Sequence, residues 1–476
     1  MRVAVLLLVL LTPALAPGAA APPAAAPAPA AEPAAAPVAA AVAVDDAVRV
    51  AAYREFRSAF DARDFKAALP LAEKLVALTE QQYGAEDRQL VNPLSNLGAT
   101  RYRLGDYAAA EVSFLRALRL IDGKASGADR QLIRPLQGLG ETYLAARRHD
   151  EAAIALKRAV DLSRNLDGLF NIEQLDSLDP LIECYMALDR LQDGEKESQY
   201  AFRVAELGYG RDDLRMLEPL DRLARWYEYV GRYTTARGLH ARALQLTENR
   251  QGLGSRLAVD ALRGLTRTYY LEYIYGPEET ESGGDPYATS AAPPPVSDQT
   301  RLNPDGERAL RIALAALAKA TPPDHRANGE TLVELGDWYL IGGATGKALI
   351  TYRESWTELQ SAGPEALKLL SAPRRLGYRP PSVSVTRLTP SRPEDYEERF
   401  VEARFTVGPD GKISEVETAT TDAPAAVERA VLFAVRKARY APRLENGEAV
   451  VTKGVTLRER VFVKKAAQPA AGSATP

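Results

Sequence analysis

Arg88-Gln-Leu-Val-Asn-Pro-Leu-Ser-Asn-Leu-Gly98 returns as Arg130-Gln-Leu-Ile-Arg-Pro-Leu-Gln-Gly-Leu-Gly140, so position 88 recurs at 130 and position 98 at 140. Extending that offset in both directions aligns whole columns. One reads Leu97, Leu139, Leu181, Leu223 and Leu265; four residues on stand Tyr143, Tyr185, Tyr227 and Tyr269. A second pair of columns holds small residues: Ala68, Ala110, Ala152, Gly194 and Ala236, then Ala117, Ala159, Ala201 and Ala243. Spacings of three and four put large and small residues on one face of a helix. Two such helices in antiparallel contact bury part of that face, and stacking the next pair buries the rest. The period therefore predicts a tandem array of helical hairpins, helix A then helix B, over residues 45–360.

Leu97-Gly98, Gly105-Asp106-Tyr107, Ala110, Phe114 and Ala117 together resemble the tetratricopeptide (TPR) family. The longer period is similar to that of its 42-residue variant, as in kinesin light chains. The early Trp and the Pro at the repeat end are absent, and repeat four, with Ile182 and Gly194, looks degenerate. Pro93, Pro135 and Pro219 recur early in helix A, where proline is tolerated and sets where the helix starts or bends. The frame breaks after Tyr275. Residues 276–303 are rich in Gly, Pro, Ser and acidic side chains and read as a disordered insertion. Removing 276–303 returns Gly306, Leu310 and Ala313 to the helix-B columns, so the insertion falls in a turn between helices. A seventh unit carries Leu335-Gly336, Trp338-Tyr339, Ala348 and Tyr352.

After a linker at 361–381, the pattern changes to period two. Arg399–Val407 alternates as a strand, Gly408-Pro-Asp-Gly411 turns, and Ile413–Thr418 returns. Pro424–Lys437 is helical, Asn446-Gly447 is a second turn, and Val450–Val463 is a long last strand. The fold class expected is thus mainly α: a TPR-like superhelix of about seven hairpins, then a small α+β module (ββαβ) at 382–465 and a disordered tail at 466–476. Val407-Gly-Pro-Asp-Gly-Lys-Ile413, Ala434–Pro442 and Asn446-Gly447 as a set resemble the C-terminal domain of TonB-family proteins. That resemblance implies a sheet edge that grips an extended peptide through main-chain hydrogen bonds, carried here by Val451, Val455, Leu457 and Val461. Energy transducers of that family keep a membrane helix with a coupling histidine. The histidines here are His149, His240 and His325, none near the N-terminus.

Met1-Arg2, the apolar run Val3–Leu11 and small residues around Ala16 and Ala21 read as a signal peptide at 1–21. Cleavage would free the chain into the periplasm; retention would anchor it to the inner membrane. Both stay open. Residues 22–44, almost all Ala and Pro, read as a disordered tether. With one cysteine, Cys184, no internal disulfide can form. Net charge is −3, so global charge gives nucleic-acid binding no support; 371–465 holds 18 Lys/Arg against 13 Asp/Glu, an asymmetry that would favour contact of that end with an acidic surface. The three histidines show no metal-ligand spacing. Gly342–Lys347 fails as a phosphate loop because no strand feeds it, and no nucleophile elbow occurs. Neither an active site, a metal site nor a cofactor is expected.

A ligand would sit on the outward positions of the A helices: Tyr102, Arg103, Arg134, Glu141, Glu183, Arg225, Tyr229, Arg263, Arg267 and Tyr270. Arg263, Arg267 and Tyr270 would form a cationic, aromatic end suited to an extended peptide. The function expected is an envelope scaffold with protein or peptide partners, joined to a membrane only through a retained signal. The alternative is a TonB-type transducer coupled to an outer-membrane receptor.

Overall fold

The computed structural model describes residues 46–122, 129–276, 302–381, 384 and 395–465. The signal, the tether, nearly all of the insertion and the C-terminal tail lie outside them.

Seven hairpins follow one another: α1 (Asp46–Asp61) with α2 (Phe65–Tyr83), α3 (Val91–Arg103) with α4 (Tyr107–Asp122), α5 (Ile133–Ala145) with α6 (His149–Asp167), and α7 (Leu175–Ala187) with α8 (Leu191–Tyr209). Then come α9 (Leu217–Tyr229) with α10 (Tyr233–Gln251), α11 (Ala258–Tyr275) with α12 (Pro304–Leu317), and α13 (His325–Ile341) with α14 (Thr345–Ala362). The repeat frame recurs in the backbone. Asp87, Asp129, Asn171, Asp213 and Ser255 each accept, through the side chain, the N–H two residues on, just before an A helix. Such local bonds satisfy donors that a helix start leaves bare. Between A and B, one residue per repeat takes the left-handed conformation: Arg63, Gly105, Arg147, Asp189 and Gly231, with φ between 55° and 82°. Pro93, Pro135 and Pro219 fall in the first turn of their helices.

The two small–large columns interlock. Ala68, Ala110 and Ala152 are fully buried, and one fixed step further on in the frame stand Thr100, Thr142 and Cys184, buried as well. Where the small residue is Gly194, the partner position holds Trp226; where it is Gly306, it holds Trp338. A Cβ at either glycine would lie 2.1 Å from the tip of the corresponding indole. Gly194 is therefore a socket, not a sign of decay. Repeat four also buries Gln174, whose amide donates to the Leu169 carbonyl at 2.8 Å and to the Asn171 carbonyl at 2.7 Å. Its polar core position is thereby satisfied. α11 runs on to Tyr275, 18 residues against 13 in α9, because the chain there enters the insertion instead of turning at once.

The stretch expected as a linker at 361–381 is ordered and packed. It forms α15 (Pro364–Leu367), a 3-10 turn at Lys368–Leu370, and β1 (Arg374–Gly377). The C-terminal module then comprises β2 (Tyr396–Val407), β3 (Ile413–Thr421), α16 (Ala425–Lys437), β4 (Arg439–Ala441), β5 (Arg443–Glu445), β6 (Glu448–Val450) and β7 (Thr452–Lys464). Its main sheet has the order β3-β2-β7, all antiparallel, with α16 on one face. The expected ββαβ core is there. β1 pairs with β4, and β5 with β6 around Asn446-Gly447, both at positive φ, as such a two-residue hairpin requires.

This module is welded to the last hairpin. Leu376, Ala441 and Leu444 share one apolar cluster with Leu340, Tyr352 and Leu359 of α13 and α14. Arg374 donates to both Asp337 oxygens, at 2.7 and 2.8 Å, and Tyr352 donates to Asp337 at 2.7 Å. Burial opposes the Arg374 charge, but Asp337 more than offsets it and holds the guanidinium firmly protonated. A solenoid needs a terminal cap over its last apolar face; here the α+β module supplies it.

Candidate functional site

Consecutive A helices approach one another, α3 with α5, α5 with α7 and α9 with α11, so they form the inner, shorter wall of the curve. Between α7 and α9 the wall opens into a cavity of about 810 Å³. Four of the expected groove residues line it: Tyr102, Glu141, Glu183 and Arg225. Its floor is apolar, with Leu144, Ile182, Met186, Phe202 and Leu223.

The charges around this cavity are unequal in their freedom. Arg222 is paired with Asp179 and Glu218, and Arg225 with Asp221 at 2.7 Å. Glu141, Asp176 and Glu183 make no ion pair among the described residues. Burial pushes the Glu141 carboxyl above its ordinary range; Arg103 opposes that shift and Asp176 adds to it. Arg103 is exposed and sits 5.6 Å over the Tyr102 ring. Burial raises the Tyr102 hydroxyl as well.

The other expected residues do different work. Arg134 donates to the Asn96 side chain at 2.8 Å, outside the cavity. Tyr229 donates to the Met186 carbonyl at 2.8 Å and ties α9 to α7. Arg263 reaches across to α13, bonding Glu334 at 2.6 Å. Arg267 donates to Glu228 at 2.6 Å, and the other Glu228 oxygen meets His240 at 2.9 Å. Tyr270 donates to the Leu376 carbonyl of β1 at 2.5 Å. The anticipated cationic, aromatic end of the groove is thus closed. Its arginines are spent on internal carboxylates, and β1 crosses its mouth, leaving only a pocket of about 330 Å³ that includes Arg267, Tyr270, Asp337 and Arg374. The sequence could not reveal this, because Arg374 and Asp337 belong to no shared period.

At the module, β7 pairs along its length with β2, from Tyr396–Lys464 to Val407–Thr452, and forms one edge of the sheet. On its outer side, among the described residues, only Ser384 bridges to it, at Val461. The side chains expected to bind are placed otherwise. Leu457 and Val461 are buried in the core with Val431 and Val435 of α16, and Val455 packs against that core. Val451 is exposed and precedes the strand. Any partner at this edge would meet backbone groups and the outward Thr456, Arg458 and Arg460, which are exposed.

The tetratricopeptide repeat family model matches residues 92–165, and that of the Gram-negative bacterial TonB protein C-terminal domain matches 399–458. The chain therefore joins tetratricopeptide repeats to a TonB C-terminal domain, two modules that imply protein partners and typically serve as non-catalytic scaffolds. Similar solved structures include nearly identical TPR-like repeats of a putative kinesin light chain from Podosopora anserina: 16% identity, 43% of this chain, 95% of that one, TM-score 0.39. A tetratricopeptide repeat protein from Parabacteroides merdae shares 14% identity over 67% of this chain and 98% of its own, TM-score 0.39. The apo form of RapI shares 11% over 67% and 79%, TM-score 0.45. No curated protein matches the chain.

Among the described residues no helix is long and apolar enough to cross a membrane, and no group of His, Cys, Asp and Glu could hold a metal ion. Cys184 is fully buried, and burial pushes its thiol up to about 12, well away from reactive thiolate.

Proposed function

We propose that this protein is an exported adaptor of the cell envelope that holds a peptide segment of one partner in its inner groove and an extended segment of a second along β7. One observation carries the reading: an open groove cavity and a sheet edge lie in one chain whose C-terminal module is fixed to the last hairpin by the Asp337–Arg374–Tyr352 cluster. Two binding faces on one chain raise the effective concentration of one partner near the other, which is what an adaptor needs. The signal-like Met1–Ala21 and the Ala/Pro stretch after it support export to the periplasm. Action by binding and not by turnover is supported by the two modules. His240, moreover, is committed to Glu228, and His325 to Glu358 at 2.8 Å.

The test is fractionation with N-terminal sequencing, followed by crosslinking from photoreactive residues placed at Glu183 and Arg458. Periplasmic recovery of a chain starting near Ala21, with distinct crosslinked partners at the two positions, is the expected result. A chain retained in the cytoplasm, or no crosslink at either position, would refute the proposal.

A further inference from the structure

The proposed groove has a chemistry that narrows its ligand. The cations of its wall, Arg222 and Arg225, are neutralised by Asp179, Glu218 and Asp221. The carboxylates Glu141 and Glu183, on opposing helices, and Asp176, which acts on Arg222 only at longer range, make no ion pair among the described residues. Against them stands Arg103 at the rim, stacked on Tyr102. The uncommitted charge over this apolar floor is therefore net negative.

A second feature is independent of that charge. Ser198 and Trp226 line the same cavity, are 4% and 1% exposed, and their Oγ and Nε1 atoms have no hydrogen-bond partner. Other buried helical hydroxyls find one locally: Thr79, Ser95, Thr100, Thr247 and Thr331 each donate to the carbonyl four residues back. A buried indole N–H without an acceptor is costly and uncommon. The floor lacks a polar complement.

Resting on the groove reading above, we propose that the cavity walled by α5, α7, α8 and α9 docks an extended peptide bearing a lysine or arginine. The aliphatic stem lies on Leu144, Ile182, Met186 and Phe202, and the cation sits among Glu141, Asp176 and Glu183. Long cationic side chains suit such a site, with an apolar stem and a charged tip. Peptide carbonyls crossing the floor supply the acceptor that Trp226 lacks. The cavity, about 810 Å³ in volume, admits a few side chains of an extended segment.

The full-length mature protein is titrated with three fluorescent peptides of equal length: leucine alternating with lysine, with glutamate, and with glutamine. Spermidine serves as a free polycation. The lysine peptide binds best, its affinity falls steeply with salt, and it perturbs tryptophan emission in a way lost in Trp226→Phe. The triple variant Glu141→Gln, Asp176→Asn, Glu183→Gln loses about tenfold or more, which is about 1.4 kcal/mol; circular dichroism confirms that it folds. Tighter binding of the glutamate peptide, or unchanged lysine-peptide affinity in the triple variant, overturns the inference and leaves the groove reading standing. Spermidine binding as tight as the lysine peptide overturns the peptide assignment. Failure of all three peptides overturns both.

Discussion

Substituting Gly194→Ala tests the socket that holds repeats four and five together. Alanine is the better helix former by about 1 kcal/mol, and α8 is otherwise regular, so local propensity predicts stabilisation. Packing predicts the reverse. The added Cβ would meet three Trp226 ring atoms at 2.1, 2.5 and 3.0 Å, and Trp226 is 1% exposed. Overpacking of this kind costs roughly 1–3 kcal/mol, so the net loss is about 0–2 kcal/mol after the propensity gain. The same frame suggests its rescue. Ala152 faces a position held by Cys184, so Trp226→Cys in the Gly194→Ala background rebuilds a pairing the chain already uses. Trp226→Cys alone leaves a void and costs about 3–5 kcal/mol. The full cycle should show coupling of roughly 2 kcal/mol in favour of the double variant. Because long repeat arrays need not unfold in one step, amide hydrogen exchange across α8 and α9, referenced to α3 and α5, is the measurement. Slower exchange in Gly194→Ala, or strict additivity in the cycle, would refute the socket.

Arg374→Ala strands the largely buried Asp337 and should cost about 3–5 kcal/mol at the weld; limited proteolysis should then cut within 361–381, where the wild type resists. Ending the chain after Ala362 removes Leu376, Ala441 and Leu444 from their shared cluster with Leu340 and Tyr352, and light scattering should report self-association of the truncated solenoid. Glu228 has a depressed carboxyl: burial raises it, but the His240 and Arg267 bonds outweigh that. Its folded value lies below its unfolded one, so its stabilisation is present above the ordinary 4.5 and is lost as pH falls through the folded value; Glu228→Gln should flatten that part of the acid-unfolding curve. Glu141 runs the other way, raised by burial against Arg103 and reinforced by Asp176. Lysine-peptide binding should therefore begin to weaken, on acidification, above the ordinary 4.5, and Glu141→Gln should move that onset down.

Much of this molecule is legible in the chain because repetition makes local signals add. A single Leu-Gly-x-x-Tyr says little. Leu97, Leu139, Leu181 and Leu223 in one frame fix the hairpin, its face and its neighbours, and the same frame locates the insertion between α11 and α12. The ββαβ core was likewise readable from period-two alternation and two glycine turns. Gly194 is instructive in the opposite sense. As a break in an alanine column it looked like decay, yet Trp226 stands at its partner position, and the pair recurs as Gly306 and Trp338. The signal was present, but it lay between columns and not within one.

The sequence by itself determined the repeat, its length, where it stops and what kind of module follows, since each depends on side chains a few residues apart. Only the tertiary structure decided which part of the inner wall is open. Arg263, Arg267 and Tyr270 look like ligand-binding groups until Glu334, Glu228 and Leu376 are seen to occupy them. The side chains of Leu457 and Val461 turn out to pack under α16, so β7 offers its edge through backbone groups and not through those side chains. In each case the partner lies tens of residues or more away, with no period to announce it, so the pairing is set by how whole elements pack on one another.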